Sequence, residues 1–215
     1  MIQKTIQAQE INLRYLIDNF NLQWIRDEQF FREWQEDLPE ITDLEKQLLD
    51  QVQEGFFNLL QNPPVLEDVV RMAILDPILF IGKFFLYPYY IRSEESVLLE
   101  IPEGENLIKG RIDTLVLKDK LWVMVIESKR AEFSIEAGIG QLLTYLLASP
   151  NLDRPNYGLI VTGSDFIFVK LVKVENIPQY ATSKVFVTRN PGNELYDVLR
   201  ILKRLSQIAV NENST

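Results

Sequence analysis

The 215-residue sequence predicts an α/β fold, a mixed β-sheet flanked by helices and preceded by an N-terminal helical region. Three observations carry this expectation. Apolar residues recur every three or four positions through the first third. From about residue 96 the period falls toward two or gives way to continuous apolar runs. One helical segment interrupts those runs, and another follows them.

Residues 1–62 form the helical region. Ile11, Tyr15 and Phe20, then Phe30, Phe31 and Trp34, have helical spacing. A second run, Leu44, Leu48, Val52, Phe56, Leu59 and Leu60, is opened by an Asp43 or Thr42 cap and closed by Asn62-Pro63-Pro64. Trp24 and the aromatics at 30, 31 and 34 read as the core of an acidic bundle, with a protein-binding surface as the alternative. Residues 63–215 begin with a helix from Leu66 to about Leu79, apolar at Val69, Val70, Ala73 and Ile74, which Asp76-Pro77 should kink or end. SVLLEI, GRIDTLVL, LWVMVI, YGLIVTG, FIFVKLV and KVFVTR read as strands. LWVMVI is apolar on both parities, as a central strand covered on both sides would be. Between LWVMVI and YGLIVTG lies a helix from Ile135 to about Leu147, with Ser134 as its cap. At the end, Leu195, Val198, Leu199, Leu202 and Leu205 mark a helix that covers the sheet or forms a homodimer seam.

Composition excludes whole classes of chemistry. With Cys 0 and His 0 there is no thiol nucleophile, thiolate zinc site, imidazole-ligated metal or Ser-His-Asp triad. Carboxylates, Lys, Arg, Tyr and hydroxyls remain. No signal-like apolar core or transmembrane-length apolar run is evident, so a soluble, cytoplasmic protein with no membrane partner is expected. The net charge of −9 is unevenly spread. Residues 1–100 carry 8 basic and 18 acidic side chains, a net of −10, and the rest carry 14 and 13, a net of +1. A phosphate-facing site therefore fits the second half better than the first.

The strand beginning at Leu121 ends in Glu127-Ser128-Lys129-Arg130. Side chains alternate along a strand, so Glu127 and Lys129 share a face about 7 Å apart. A three-residue loop at Lys118-Asp119-Lys120 sets Leu117 against Leu121 and Asp113 against Val125, which puts Asp113 on the face of Glu127. A two-residue loop would put the two acids on opposite faces. Two converging carboxylates are hard ligands suited to Mg²⁺ or Mn²⁺, and the backbone carbonyl of Ser128 could complete the set. An adjacent Lys129 would steady or deprotonate an attacking water and offset phosphate charge. The following helix carries Gln141 and Tyr145 four residues apart on one face. Gly138 and Gly140 inside it suit either a close approach to the sheet or a late helix start. Lys109, Arg111, Lys118, Lys120 and Arg130 either track a phosphate backbone or are solvated strand positions.

These residues resemble the PD-(D/E)XK nuclease superfamily, the restriction-endonuclease-like fold. Asp113 matches its metal-binding aspartate, Glu127-Ser128-Lys129 its (D/E)-x-K, and Gln141-Leu-Leu-Thr-Tyr145 the Gln-x-x-x-Tyr element of the RecB-like subgroup. Glu67-Asp-Val-Val-Arg71, with Ile74-Leu-Asp-Pro-Ile-Leu79, looks like the helix that opens the nuclease domain of type I restriction subunits. The resemblance covers roughly residues 65–170, and Ile112 stands where the family often has Pro. It implies a Mg²⁺-dependent DNA endonuclease. Asp113 and Glu127 would hold metal, Lys129 would position or activate water, and Gln141 and Tyr145 would orient the site or contact nucleic acid. Glu67 would be a further acid toward the metal, with Asp68 and Glu45 as rivals. The alternative is a non-catalytic module of the same fold that binds nucleic acid or a protein partner, or a second copy, through its N-terminal helices.

Overall fold

The computed structural model describes residues 5–101, 107–118, 121–130 and 134–211. Among the described residues nine strands form one mixed sheet: β1 (Thr5–Gln7), β2 (Gln23–Trp24), β3 (Tyr90–Glu100), β4 (Leu107–Lys118), β5 (Leu121–Ser128), β6 (Asn156–Val161), β7 (Asp165–Val174), β8 (Ile177–Thr182) and β9 (Phe186–Val187). Its main path runs β1-β4-β5-β6-β7-β8-β2, with β3 also paired to β4 and β9 to β7. Helices α1 (Leu13–Phe20), α2 (Asp43–Leu60), α3 (Glu67–Val70), α4 (Asp76–Ile81), α5 (Ile135–Leu147) and α6 (Leu195–Asn211) flank it. The mixed α/β architecture expected from the sequence is thus present.

The central strands explain where the core lies. Val123, Met124, Val125 and Ile126 are buried on both faces of β5. The chain leaves β5, crosses through α5 and returns as β6, parallel to β5, as a crossover connection requires. On one face Leu142, Leu143 and Leu146 of α5 pack with Leu115, Val125 and Ile160. On the other, Phe56, Ile78, Leu199 and Leu202 pack with Met124, Ile126, Leu159 and Phe168. The α6 stripe from Leu195 to Leu205 is buried in this second layer and covers the sheet.

The first 62 residues depart from the helical expectation. β1 pairs in parallel with β4, and β2 in parallel with β8, so both add strands to the sheet. The aromatics at 30, 31 and 34 belong to a short turn containing a single 3₁₀ turn, Arg32–Trp34. Only Phe31 is fully buried there, and three bulky residues within five positions cannot separate a helix from a turn. Trp24 is half exposed. The longest helix matches closely: Thr42 caps α2 through its Oγ1, and Glu45 reciprocates to the Thr42 N–H.

Pro77 does not end the third expected helix. α3 passes through a π-helical turn, Arg71–Leu75, directly into α4. The Asp76 N–H reaches back to the Arg71 carbonyl, and the wider turn lets the helix continue past a residue that has no N–H. β3 begins at Tyr90, six residues ahead of the expected start. β8 was not expected because Pro178 interrupts its pattern, and KVFVTR yields only the two-residue β9.

Candidate active site

The β4–β5 hairpin sets the geometry. Lys118 pairs with Leu121 and Leu117 with Trp122, so the loop is shorter than the three residues expected, and Asp113 does not face Val125. Asp119 and Lys120 themselves lie outside the described residues. Continued unbroken, this register would put Asp113 across from Ile126 and on the opposite face from Glu127. A β-bulge prevents it. Between Val116 and Leu117 the register slips by one residue, so that Val116 pairs with Met124, Leu115 with Val125 and Thr114 with Ile126. One step further, Asp113 and Glu127 meet. Asp113 Oδ2 accepts from the Ser128 N–H at 2.9 Å, and the Asp113 N–H makes a longer contact with Glu127 Oε1 at 3.4 Å.

Glu127 is fully buried, and Lys129 is 8% exposed. Lys129 Nζ and Gln141 Nε2 both donate to Glu127 Oε2, at 3.1 and 2.9 Å. Burial and, after it, the neighbouring Asp113 push the Glu127 carboxyl up while Lys129 opposes both, and the net result is about 8. Asp113 is also raised, chiefly by burial, against the pull of Lys129 and hydrogen bonds from Ser128 N–H and the Glu127 side chain. For Lys129, burial favours the neutral amine, but Glu127 and Asp113 outweigh it and the net shift is upward. Burial and like charge thus favour the protonated forms of the two acids, while the acids favour the charged ammonium of Lys129.

α5 holds this cluster from behind. The helix begins at Ile135 as expected, but the Ser134 hydroxyl donates to Glu136 Oε2 and caps no backbone N–H. Gly138 lies against Ile160 of the sheet, where an added Cβ would come within 3.3 Å. A Cβ on Gly140 would sit 2.4 Å from the Ile11 carbonyl, so the residue is small because the N-terminal segment crosses there. Gln141 also donates to the Tyr145 hydroxyl at 2.9 Å. That hydroxyl donates to the Arg111 carbonyl at 3.0 Å and accepts from the Arg111 N–H at 3.3 Å. Burial pushes Tyr145 up to about 12. A Cβ on Gly110 would lie 2.4 Å from the Tyr145 ring, so β4 needs glycine where the tyrosine passes. Gln141 and Tyr145 are both buried, and their hydrogen bonds tie Glu127 to β4.

The upstream acids separate. Burial raises the Glu67 carboxyl, and it feels the charges of Lys129 and Asp113, so it lies toward the cluster. Asp68 is exposed beside Arg71. Glu45 is tied to Thr42 and Lys203 on the far side of the sheet. Among the described residues no group of three or more acids is gathered closely enough to hold a metal by side chains alone, so Glu67 does not complete a three-carboxylate set. A cavity of about 510 Å³ opens beside Asp113 and Tyr145, with Lys109, Gly110 and Arg111 on its wall. Arg111 is held by Glu94 at 3.2 Å. Arg130 is exposed, and Lys118 is half-buried. Sequence reasoning assigned no role to Gly110 or Arg71; the π turn that presents Arg71 left one trace, Asp76-Pro77.

The donor set suits a hard cation that keeps several waters. Asp113 and Glu127 supply oxygens, the Ser128 carbonyl directly follows Glu127 in sequence, and two acids face the single amine of Lys129. Ser128 Oγ is buried without a hydrogen-bond partner. Compared with known proteins, the chain matches no family model and no curated protein.

Proposed function

We propose that the chain is a metal-dependent DNA endonuclease of the PD-(D/E)XK type, with a restriction-endonuclease-like core built on β4, β5, α5 and β6. The observation that supports this reading best is the convergence of Asp113, Glu127 and Lys129 at one end of the bulged hairpin, two acids against one amine. Asp113 and Glu127 would hold Mg²⁺ or Mn²⁺, with the Ser128 carbonyl and water, and Glu67 would act from the outer side. Such an ion polarises a phosphoryl oxygen and lowers the pKa of bound water. Lys129 stays protonated beside two acids, so it orients the attacking water and offsets phosphate charge; it does not serve as the base. Gln141 and Tyr145 fix the rotamer of Glu127 and the path of β4. The cavity beside Asp113 admits the phosphodiester, and Lys109 flanks it.

Nicking of supercoiled plasmid in Mg²⁺ or Mn²⁺ tests the reading. The wild-type chain should nick, and Asp113→Ala and Lys129→Ala should each abolish nicking. Nicking that survives both substitutions removes the assignment. An inert wild type that still binds DNA would favour the non-catalytic module, which the net charge of −9 supports.

A further inference from the structure

A second surface adjoins the site. Between α4 and β3 the chain reads Lys83-Phe-Phe-Leu-Tyr-Pro-Tyr-Tyr90, and it exposes large apolar side chains in close succession: Phe85 is 49% exposed, Leu86 58% and Tyr87 98%. Large apolar side chains exposed together on one short segment suit a binding surface. The segment is held in place. Phe84 is buried and packs on Tyr89 with ring centroids 5.3 Å apart. The N–H groups of Leu86 and Tyr89 bond the carbonyls of Lys83 and Leu86. Phe85 and Tyr90 line a hollow of about 460 Å³ together with Arg71, Asp76, Ser93 and Thr114. Thr114 directly follows Asp113, so the hollow leads from the aromatic segment to the strand that carries the proposed metal ligand. Arg71 stands on its rim and bears electrostatically on both Asp113 and Asp76.

We infer that Phe85, Tyr87 and Arg71 bind unpaired nucleotides, so that the substrate is single-stranded DNA or a duplex with a single-stranded end. Rings projected from a fixed turn can stack on bases only where the base faces are open, and in a duplex they are covered. Arg71 is placed to meet the backbone phosphate between a stacked base and the site. A chain of net −9 repels single strands and duplexes alike, so stacking, which only open base faces accept, has to supply affinity that phosphate neutralisation does not. The cleavage of such a substrate rests on the nuclease reading; its binding does not.

The test is therefore made without metal. Fluorescence anisotropy with the whole chain in EDTA compares a labelled oligothymidylate with a blunt hairpin duplex. Tyr87→Ala and Phe85→Ala should each weaken single-strand binding about tenfold and leave duplex binding within about twofold of wild type. Tyr87→Phe should bind like wild type, and Tyr87→Leu, which keeps the apolar surface but loses the ring, should bind like Tyr87→Ala. Single-strand affinity unchanged in both alanine variants overturns the inference. So does an effect of the same variants only on self-association in sedimentation, or only on partition to phospholipid vesicles. Cleavage is scored separately: weakened single-strand binding in an inert protein would uphold this surface and sink the nuclease, and the converse result would do the opposite.

Discussion

Two buried Glu–Lys pairs lie on opposite faces of the sheet and behave in opposite ways. In the helical layer, Lys203 of α6 meets Glu45 of α2. Burial alone would raise Glu45, but hydrogen bonds from Lys203 and Thr42 outweigh it, and the carboxyl lies below its ordinary range. At the end of β5, Lys129 meets Glu127 at 3.1 Å, yet Glu127 rises to about 8. The difference is burial first, since Glu127 is enclosed more completely than Glu45, and then Asp113, a second acid that Glu45 does not face. One acid balanced by one amine ties two helices together, whereas two acids facing one amine leave charge that only a proton or a cation can neutralise.

Breaking each pair should expose that difference. Lys129→Ala or Asp113→Ala should lower nicking about 10²–10⁴-fold, whereas Lys203→Ala should leave the rate intact and cost about 1–3 kcal/mol of stability at pH 7. Urea unfolding with plasmid assays on the same preparations checks both. Gly140→Ala tests the scaffold behind the site. A Cβ pressed to 2.4 Å from a backbone carbonyl should cost about 1–3 kcal/mol in urea unfolding, and a loss below about 0.5 kcal/mol would show that the crossing is looser than described.

The pH dependences should have opposite signs. A carboxyl raised from 4.5 to about 8 keeps its proton in the folded state and loses it in the unfolded one across that window. The metal-free protein therefore loses stability through Glu127 as pH rises from about 4.5 to 8. Glu127→Gln should remove this fall, by the order of a few kcal/mol at pH 8. Glu45, lowered in the fold, contributes stability above the ordinary carboxylate range that disappears as pH falls through its folded value. Glu45→Gln should thus destabilise at pH 7 and matter little in acid. Melting temperatures of both variants across pH 3–9 read the two slopes. The smallest effect belongs to Tyr145→Phe: losing the hydroxyl between Gln141 and Arg111 should cost about 1 kcal/mol and slow nicking about tenfold. Nicking at the wild-type rate would detach the tyrosine from the site.

Much of this architecture was legible in the sequence, and the failures were local. β5 announced itself because it is apolar on both parities, α2 because its apolar residues keep helical spacing behind an Asp43 or Thr42 cap, and α5 because its apolar positions survive two glycines. The short strands β1 and β2 have too few residues to show a period. β8 was hidden by Pro178. At the site, the tripeptide Glu127-Ser128-Lys129 and the partners Asp113, Gln141 and Tyr145 were readable, but the geometry joining them was not. The loop counted as three residues is shorter, and a bulge at Val123 restores the face that the shorter loop would have lost. Loop length and bulge each shift the register by one, so together they are invisible to a parity argument. The aromatic segment from Phe84 to Tyr90 was missed because an exposed and a buried aromatic look alike in a run of seven residues.

Titration calorimetry with Mn²⁺ at pH 7, repeated in buffers of different ionisation enthalpy, bears most directly on the paired acids. If Asp113 and Glu127 share a proton until an ion displaces it, each ion bound should release about one proton, and Asp113→Asn should abolish both the binding and the release. Binding with no buffer dependence, or binding untouched by Asp113→Asn, would mean that these acids do not form a metal site.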